Sequence, residues 1–220
     1  MATIKVVDIL GRASVLLQDT AATRFTNANL LKFFNDGQRE VVLHRPDANI
    51  INATFACADG SKQTLPAAAL RLVNVQRNSN GRSVTQVERV ILDENLPNWH
   101  ETAAGANGIE HFIYDTSDPK TFYVYPKAAN GTHSLEIVYS SVPSDITISN
   151  FATDTTVIGL DDIYANCLTD YVLYRAYQID SEEGNMARAQ MHFQSFATSL
   201  GIKTRSDASL APRPAAGAVA

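Results

Sequence analysis

At 220 residues, with 45% apolar and 19% charged side chains, the chain can bury a core without metals or disulfides, and its balance excludes a disordered polypeptide. Its net charge of −5, with 18 scattered Lys and Arg and no basic cluster, argues against a protein that grips nucleic acid through phosphates. No stretch approaches the roughly eighteen apolar residues of a membrane span, and Asp8 and Arg12 interrupt any apolar leader. The expected setting is therefore a reducing cytoplasm, no membrane, and free thiols at Cys57 and Cys167.

Residues 3–18 are predicted to form an amphipathic helix, because Val6, Ile9, Leu10, Ala13, Leu16 and Leu17 recur at three- and four-residue spacing. Gly11 weakens it by about 1 kcal/mol against Ala. After a polar turn over 19–25, Thr26 or Asn27 can cap a second helix striped by Leu30, Leu31, Phe34, Val41 and Val42. It must end near Arg45, since Pro46 lacks an amide hydrogen and disfavours helix before it.

The pattern then changes to β. Residues 50–57 alternate in places, and Asp59-Gly60 signals a hairpin. Residues 70–77 alternate more cleanly, Asn80-Gly81 marks a turn, and 84–92 fit helix and strand equally. Residues 110–115 and 121–126 make the clearest hairpin, and a further strand covers 134–140. A polar connector spans 143–158.

Helix returns over 161–179, where Asp161 and Asp162 suit the positive end of the macrodipole and Ile163, Cys167, Tyr171 and Tyr174 share a face. Ser181 opens a last helix with a seam of Met186, Ala189, Phe193, Phe196 and Leu200, which Gly201 can stop. The Ala- and Pro-rich residues 206–220 have no apolar period and read as a flexible tail that orders on a partner. The fold class expected is α+β: N- and C-terminal helix pairs (1–48 and 146–205) form one bundle around a β-rich insertion (49–145).

No motif for chemistry stands out. None of His44, His100, His111, His133 and His192 pairs at a metal spacing, neither cysteine has a C-x-x-C partner, and Gly105-Ala106-Asn107-Gly108 lacks the Lys-Ser/Thr of a phosphate loop. The acidic pairs Asp161-Asp162 and Glu182-Glu183 each fall in a first helical turn. Trp99, the lone tryptophan, sits past Pro97; it can anchor an interface or fold back on the sheet. No catalytic residue, cofactor or metal is expected. A small hydrolase would need His111, His133 and an acid to converge.

Four segments in order resemble the head-to-tail adaptors of tailed phages, especially short-tailed ones. They are Leu30-Leu31-Lys32-Phe33-Phe34-Asn35-Asp36-Gly37-Gln38-Arg39-Glu40-Val41 with Arg45-Pro46-Asp47-Ala48; Leu65-Pro66 with Ala69-Leu70-Arg71-Leu72-Val73; Phe122-Tyr123-Val124-Tyr125-Pro126 with Tyr139-Ser140-Ser141-Val142-Pro143; and Asp170-Tyr171 with Tyr174, Asn185, His192 and Phe196. The resemblance covers residues 3–205. It implies a virion protein of the neck or tail: a homo-oligomeric ring, commonly twelvefold, between the portal protein and a tail nozzle or tube. DNA would pass through without specific binding, and no catalysis is implied. On this reading Lys203, Arg205, Leu210, Pro212, Arg213 and Pro214 belong to a portal-docking tail, and Trp99 and His100 to a subunit or tail contact. A neck or tail-completion protein that meets the tube rather than the portal is the alternative.

Overall fold

Two prolines, Pro46 and Pro143, mark where the chain leaves the unit of the terminal helices and where it rejoins it. In the computed structural model, which describes residues 2–179 and 183–210, one compact unit holds the residues up to Arg45 and those from Pro143 onward; the other is Pro46–Val142. The α+β class holds, with helices at the chain ends and strands between.

The terminal unit contains α1 (Val6–Leu16), α2 (Asn27–His44), and two later helices, Ala165–Ile179 and Glu183–Leu210. The Thr26 hydroxyl caps α2 by accepting from the Asn29 amide (3.3 Å), and the helix ends at His44 as Pro46 requires. The stripe Leu30, Leu31, Phe34, Val41 and Val42 is buried. In α1 the stripe holds through Val6, Ile9, Leu10 and Ala13, but Leu16, at the helix end, is 56% exposed. Helix 165–179 packs against α1, α2 and helix 183–210, so its buried residues run almost around its circumference. Gly37 makes this possible, because a Cβ there would lie 3.0 Å from the Tyr171 ring.

Three expectations need correction here. Ile163 is 62% exposed: it lies in a 3₁₀ turn, Asp162–Tyr164, whose tighter winding hands the inward position to Tyr164. In the last helix Ala189, Phe196 and Leu200 are buried, whereas Met186 is exposed and Phe193 only partly covered. Gly201 does not stop this helix, which runs to Leu210; a glycine keeps both backbone hydrogen-bonding groups and costs only about 1 kcal/mol in helix. The expected start at Ser181 lies outside the described residues.

The middle unit has seven strands: β1 (Ile50–Ala56), β2 (Gly60–Thr64), β3 (Ala69–Asn78), β4 (Thr85–Gln86), β5 (His111–Tyr114), β6 (Thr121–Ala128) and β7 (Ser134–Ser141). One sheet runs β1-β7-β3, the other β2-β6-β5-β4. Leu72, Val75, Leu135, Ile137 and Tyr139 of the first sheet and Phe112, Phe122 and Val124 of the second form one buried cluster, as in a sandwich. The hairpin expected over 110–126 forms, with Phe112 opposite Val124 and Tyr114 opposite Phe122.

The Asp59-Gly60 hairpin does not form, because β1 pairs with β7 and β2 with β6. Gly60 does adopt the left-handed φ of +101°. The corner is held by Gln63, wholly buried, which accepts from the Ala58 amide (2.8 Å) and donates to the Ala58 and Gly60 carbonyls. The Asp59 carboxylate accepts from the Asn130 amide (2.6 Å), a partner more than seventy residues away. The ambiguous 84–92 stretch divides: β4 runs parallel to β5, and a short helix, α3 (Arg89–Asn95), follows. The two terminal helices already described are thus α4 (Ala165–Ile179) and α5 (Glu183–Leu210).

Candidate interaction surfaces

The residues Asn35-Asp36-Gly37-Gln38-Arg39 of α2 act as a tether for the polar connector. Asn35 takes both backbone groups of Ile146, donating to its carbonyl (2.9 Å) and accepting from its amide (3.0 Å). Gln38, buried beneath it, accepts from the Gly159 amide (2.9 Å), and a Cβ at Gly159 would lie 2.8 Å from that same oxygen. Arg39 bridges Asp36 and Asp145. Asn35→Ala is expected to cost about 1–3 kcal/mol, since it strips two part-buried backbone groups of their partners. Urea unfolding followed by far-ultraviolet circular dichroism checks this.

Asp162 does more than complement a helix end. Its carboxylate accepts from the Thr3 amide (2.8 Å), the Thr3 hydroxyl (2.6 Å) and the Ile4 amide (3.0 Å). These bonds, the Thr3 hydroxyl first, hold its pKa below the usual 3.8. Asp19 is likewise lowered, chiefly by the Phe25 amide, with the Thr23 and Arg24 amides adding to it. A lowered carboxyl stabilises fully above its unfolded pKa and loses that contribution as pH falls through the folded value. The 3–4 amides should therefore keep their hydrogen-exchange protection at neutral pH and lose it only as pH falls through the lowered Asp162 value, and Asp162→Asn should weaken it at neutral pH as well.

Trp99 folds back on the sheet. It is fully buried, in a cluster with Leu92 and Ile113 on the face of the second sheet opposite the main core. Its indole stacks on His100 (3.6 Å between centroids) and meets Tyr123 edge-on, and its Nε1–H donates to Asp93 (2.8 Å), lowering that carboxyl's pKa. Of the two roles open to Trp99 in the sequence, its burial against Leu92 of α3 and Ile113 fits the fold-back one. His100 stays exposed, its Nδ1 bonded to the Ser61 hydroxyl (2.8 Å).

The histidines and cysteines do not converge. His111 meets the Thr85 hydroxyl and stacks on Tyr125, whereas His133 accepts from the Ala129 amide (3.0 Å) at Nδ1, which leaves Nε2–H to donate to the Gly105 carbonyl (2.8 Å). Both thiols are buried, Cys57 pushed up to about 11 and Cys167 to about 12, so neither is poised as a thiolate nucleophile. Asp170, His192 and Ser195 do meet between α4 and α5, but the carboxylate takes both partners: His192 Nδ1 at 2.9 Å and the Ser195 hydroxyl at 2.7 Å. Ser195 and His192 each bond Asp170, so the cluster fastens α5 to α4. Among the described residues no group of three His, Cys, Asp or Glu could hold a metal ion, and no helix is long and apolar enough to cross a membrane.

Lys203, Arg205 and Leu210 lie on the helical backbone of α5, and Pro212, Arg213 and Pro214 lie outside the described residues. Contacts from Tyr174–Phe193 to Cys167–Phe196 show that α4 and α5 run antiparallel. Residues past Leu200 therefore extend beyond the start of α4. Sequence reasoning missed an open groove of about 560 Å³ between α1 and α4, lined by Gly11, Arg12, Val15, Leu16, Asn166 and Thr169. A stripe read from spacing alone counts Leu16 as core and gives no sign of this groove. The model of one protein family, described as SU10 adaptor protein, matches residues 4–217. No curated protein matches the chain.

Proposed function

Because this chain belongs to the SU10 adaptor protein family, we propose that it is a ring subunit joining the portal of a phage particle to its tail. The family makes it a structural adaptor of a bacteriophage, a component of the virion neck. Beyond that, copies would close into a ring, commonly of twelve, with the portal on one side and a tail nozzle or tube on the other. The observation that carries this reading is a family match that leaves only the chain ends uncovered. The net charge of −5 per chain supports a conduit role, since a ring of like-charged subunits repels passing DNA rather than holding it.

The C-terminal residues are the portal-docking element in this reading. The extension of α5 past Leu200 supplies reach, and Lys203 and Arg205 supply positive charge in an otherwise acidic chain. Removing residues 203–220 is expected to weaken binding to purified portal about tenfold or more, while the circular dichroism melt of the rest is retained. Unchanged affinity in a folded truncation would reject this docking element.

A further inference from the structure

The seven residues of β1 hold no charge, no proline and no bulge against β7. That combination is unusual for an edge strand, because open edges are normally blunted against pairing with other chains. The remaining edges here follow the rule. β3 carries three register shifts with Arg71 and Arg77, β2 has a bulge and Lys62, and β4 is two residues long.

The phase of the β1 edge follows from its ends. The Ser141 amide donates to the Asn49 carbonyl, and the Cys57 amide donates to the His133 carbonyl. In an antiparallel ladder alternate residues bond the same neighbour. Asn49, Ile51, Ala53, Phe55 and Cys57 therefore face β7, and the backbone groups of Ile50, Asn52, Thr54 and Ala56 point to the open side. Those four residues are exposed, and no backbone hydrogen bond is made on that side among the described residues. On the core side Ile51, Ala53 and Phe55 are only half covered.

We propose that β1 pairs with β1 of a second copy, antiparallel about Ala53, as a state of the free protein. This register suits both faces and the ladder at once. Ile50 opposes Ala56 and Asn52 opposes Thr54 as hydrogen-bonded pairs on the exposed face. Ile51 opposes Phe55 and Ala53 opposes Ala53 as non-hydrogen-bonded pairs on the core face. Each half-buried apolar residue thus gains an apolar neighbour, and no charge is placed in the pairing. The contact is two-fold, whereas a closed ring needs unlike surfaces to meet. It is therefore independent of the ring reading, and either can fail without the other.

Three measurements on the full chain test it. Sedimentation should show a concentration-dependent dimer. Ala53→Cys should cross-link to itself under mild oxidation, since a non-hydrogen-bonded pair brings the Cα atoms to about 4.5 Å, within disulfide reach, and both native thiols are buried. The variant N52K/T54K sets lysine opposite lysine and should raise the dissociation constant about tenfold or more. Mixing it with N52E/T54E should restore pairing as a heterodimer, and unchanged circular dichroism confirms that the variants fold. A strictly monomeric wild type overturns the proposal. So does a dimer that neither cross-links through Ala53→Cys nor responds to the charges, or a lysine variant that the glutamate variant fails to rescue. A monomer whose β1 amides become protected only when portal or tail protein is added would assign the edge to that partner and also overturn the pairing.

Discussion

Trp99→Ala is expected to destabilise the β unit by about 3–5 kcal/mol, the range for emptying a fully buried large aromatic site. The indole has no exposed surface, fills the space beneath α3 against Leu92, Ile113 and Tyr123, and donates a hydrogen bond to Asp93. Trp99→Phe keeps much of the packing and loses that bond, so it should cost less, about 1–2 kcal/mol. In both variants the Asp93 carboxyl should lose the bond that most lowers its pKa and titrate higher, an effect visible by NMR. Chemical denaturation of the isolated chain distinguishes this account from an interface role. An interface anchor would leave the isolated chain's stability unchanged and alter only its assembly.

Phe196→Ala is expected to cost a similar 3–5 kcal/mol, but in the helical unit. Phe196 is fully buried where α5 crosses α4, with its ring 5.3 Å from Tyr171 and 6.1 Å from His44. The Cys167 thiol donates to its carbonyl (3.7 Å), and the Asp170 cluster lies one turn away. Loss of the ring leaves α5 held by Ala189, Leu200, the Asp170 bonds and the ring contacts of Phe193 with Tyr174 and His192 with Tyr177. Hydrogen exchange should rise along α5 before it rises in α2, because α2 keeps its own contacts with α4. Weaker portal binding is the expected consequence, since α5 carries Lys203, Arg205 and Leu210 of the proposed docking element.

What the sequence conveyed well was local. The Thr26 cap, the stop before Pro46, the buried stripe of α2 and the β5–β6 hairpin all follow from nearest neighbours along the chain. What it hid was the destination of each element. Asp59-Gly60 has turn chemistry, but β1 and β2 leave for different sheets because their partners, β7 and β6, lie more than fifty residues downstream. Asp162 reads as a helix-end charge until the N-terminal amides of Thr3 and Ile4 arrive from the far end of the chain. Spacing could not decide between the two roles open to Trp99, since both place an indole after a proline. The Asn35–Gln38 run was legible as a resemblance and not as a mechanism. Its roles depend on Ile146, Gly159 and Tyr171, none of them a neighbour in sequence.

The adaptor reading rests on the family match, and assembly on the portal tests it most directly. Purified chain mixed with portal rings, imaged by electron microscopy, should show a second ring coaxial with the portal and of matching symmetry, with α5 at the junction. Portal rings that remain bare at saturating concentrations of a correctly folded chain would contradict it.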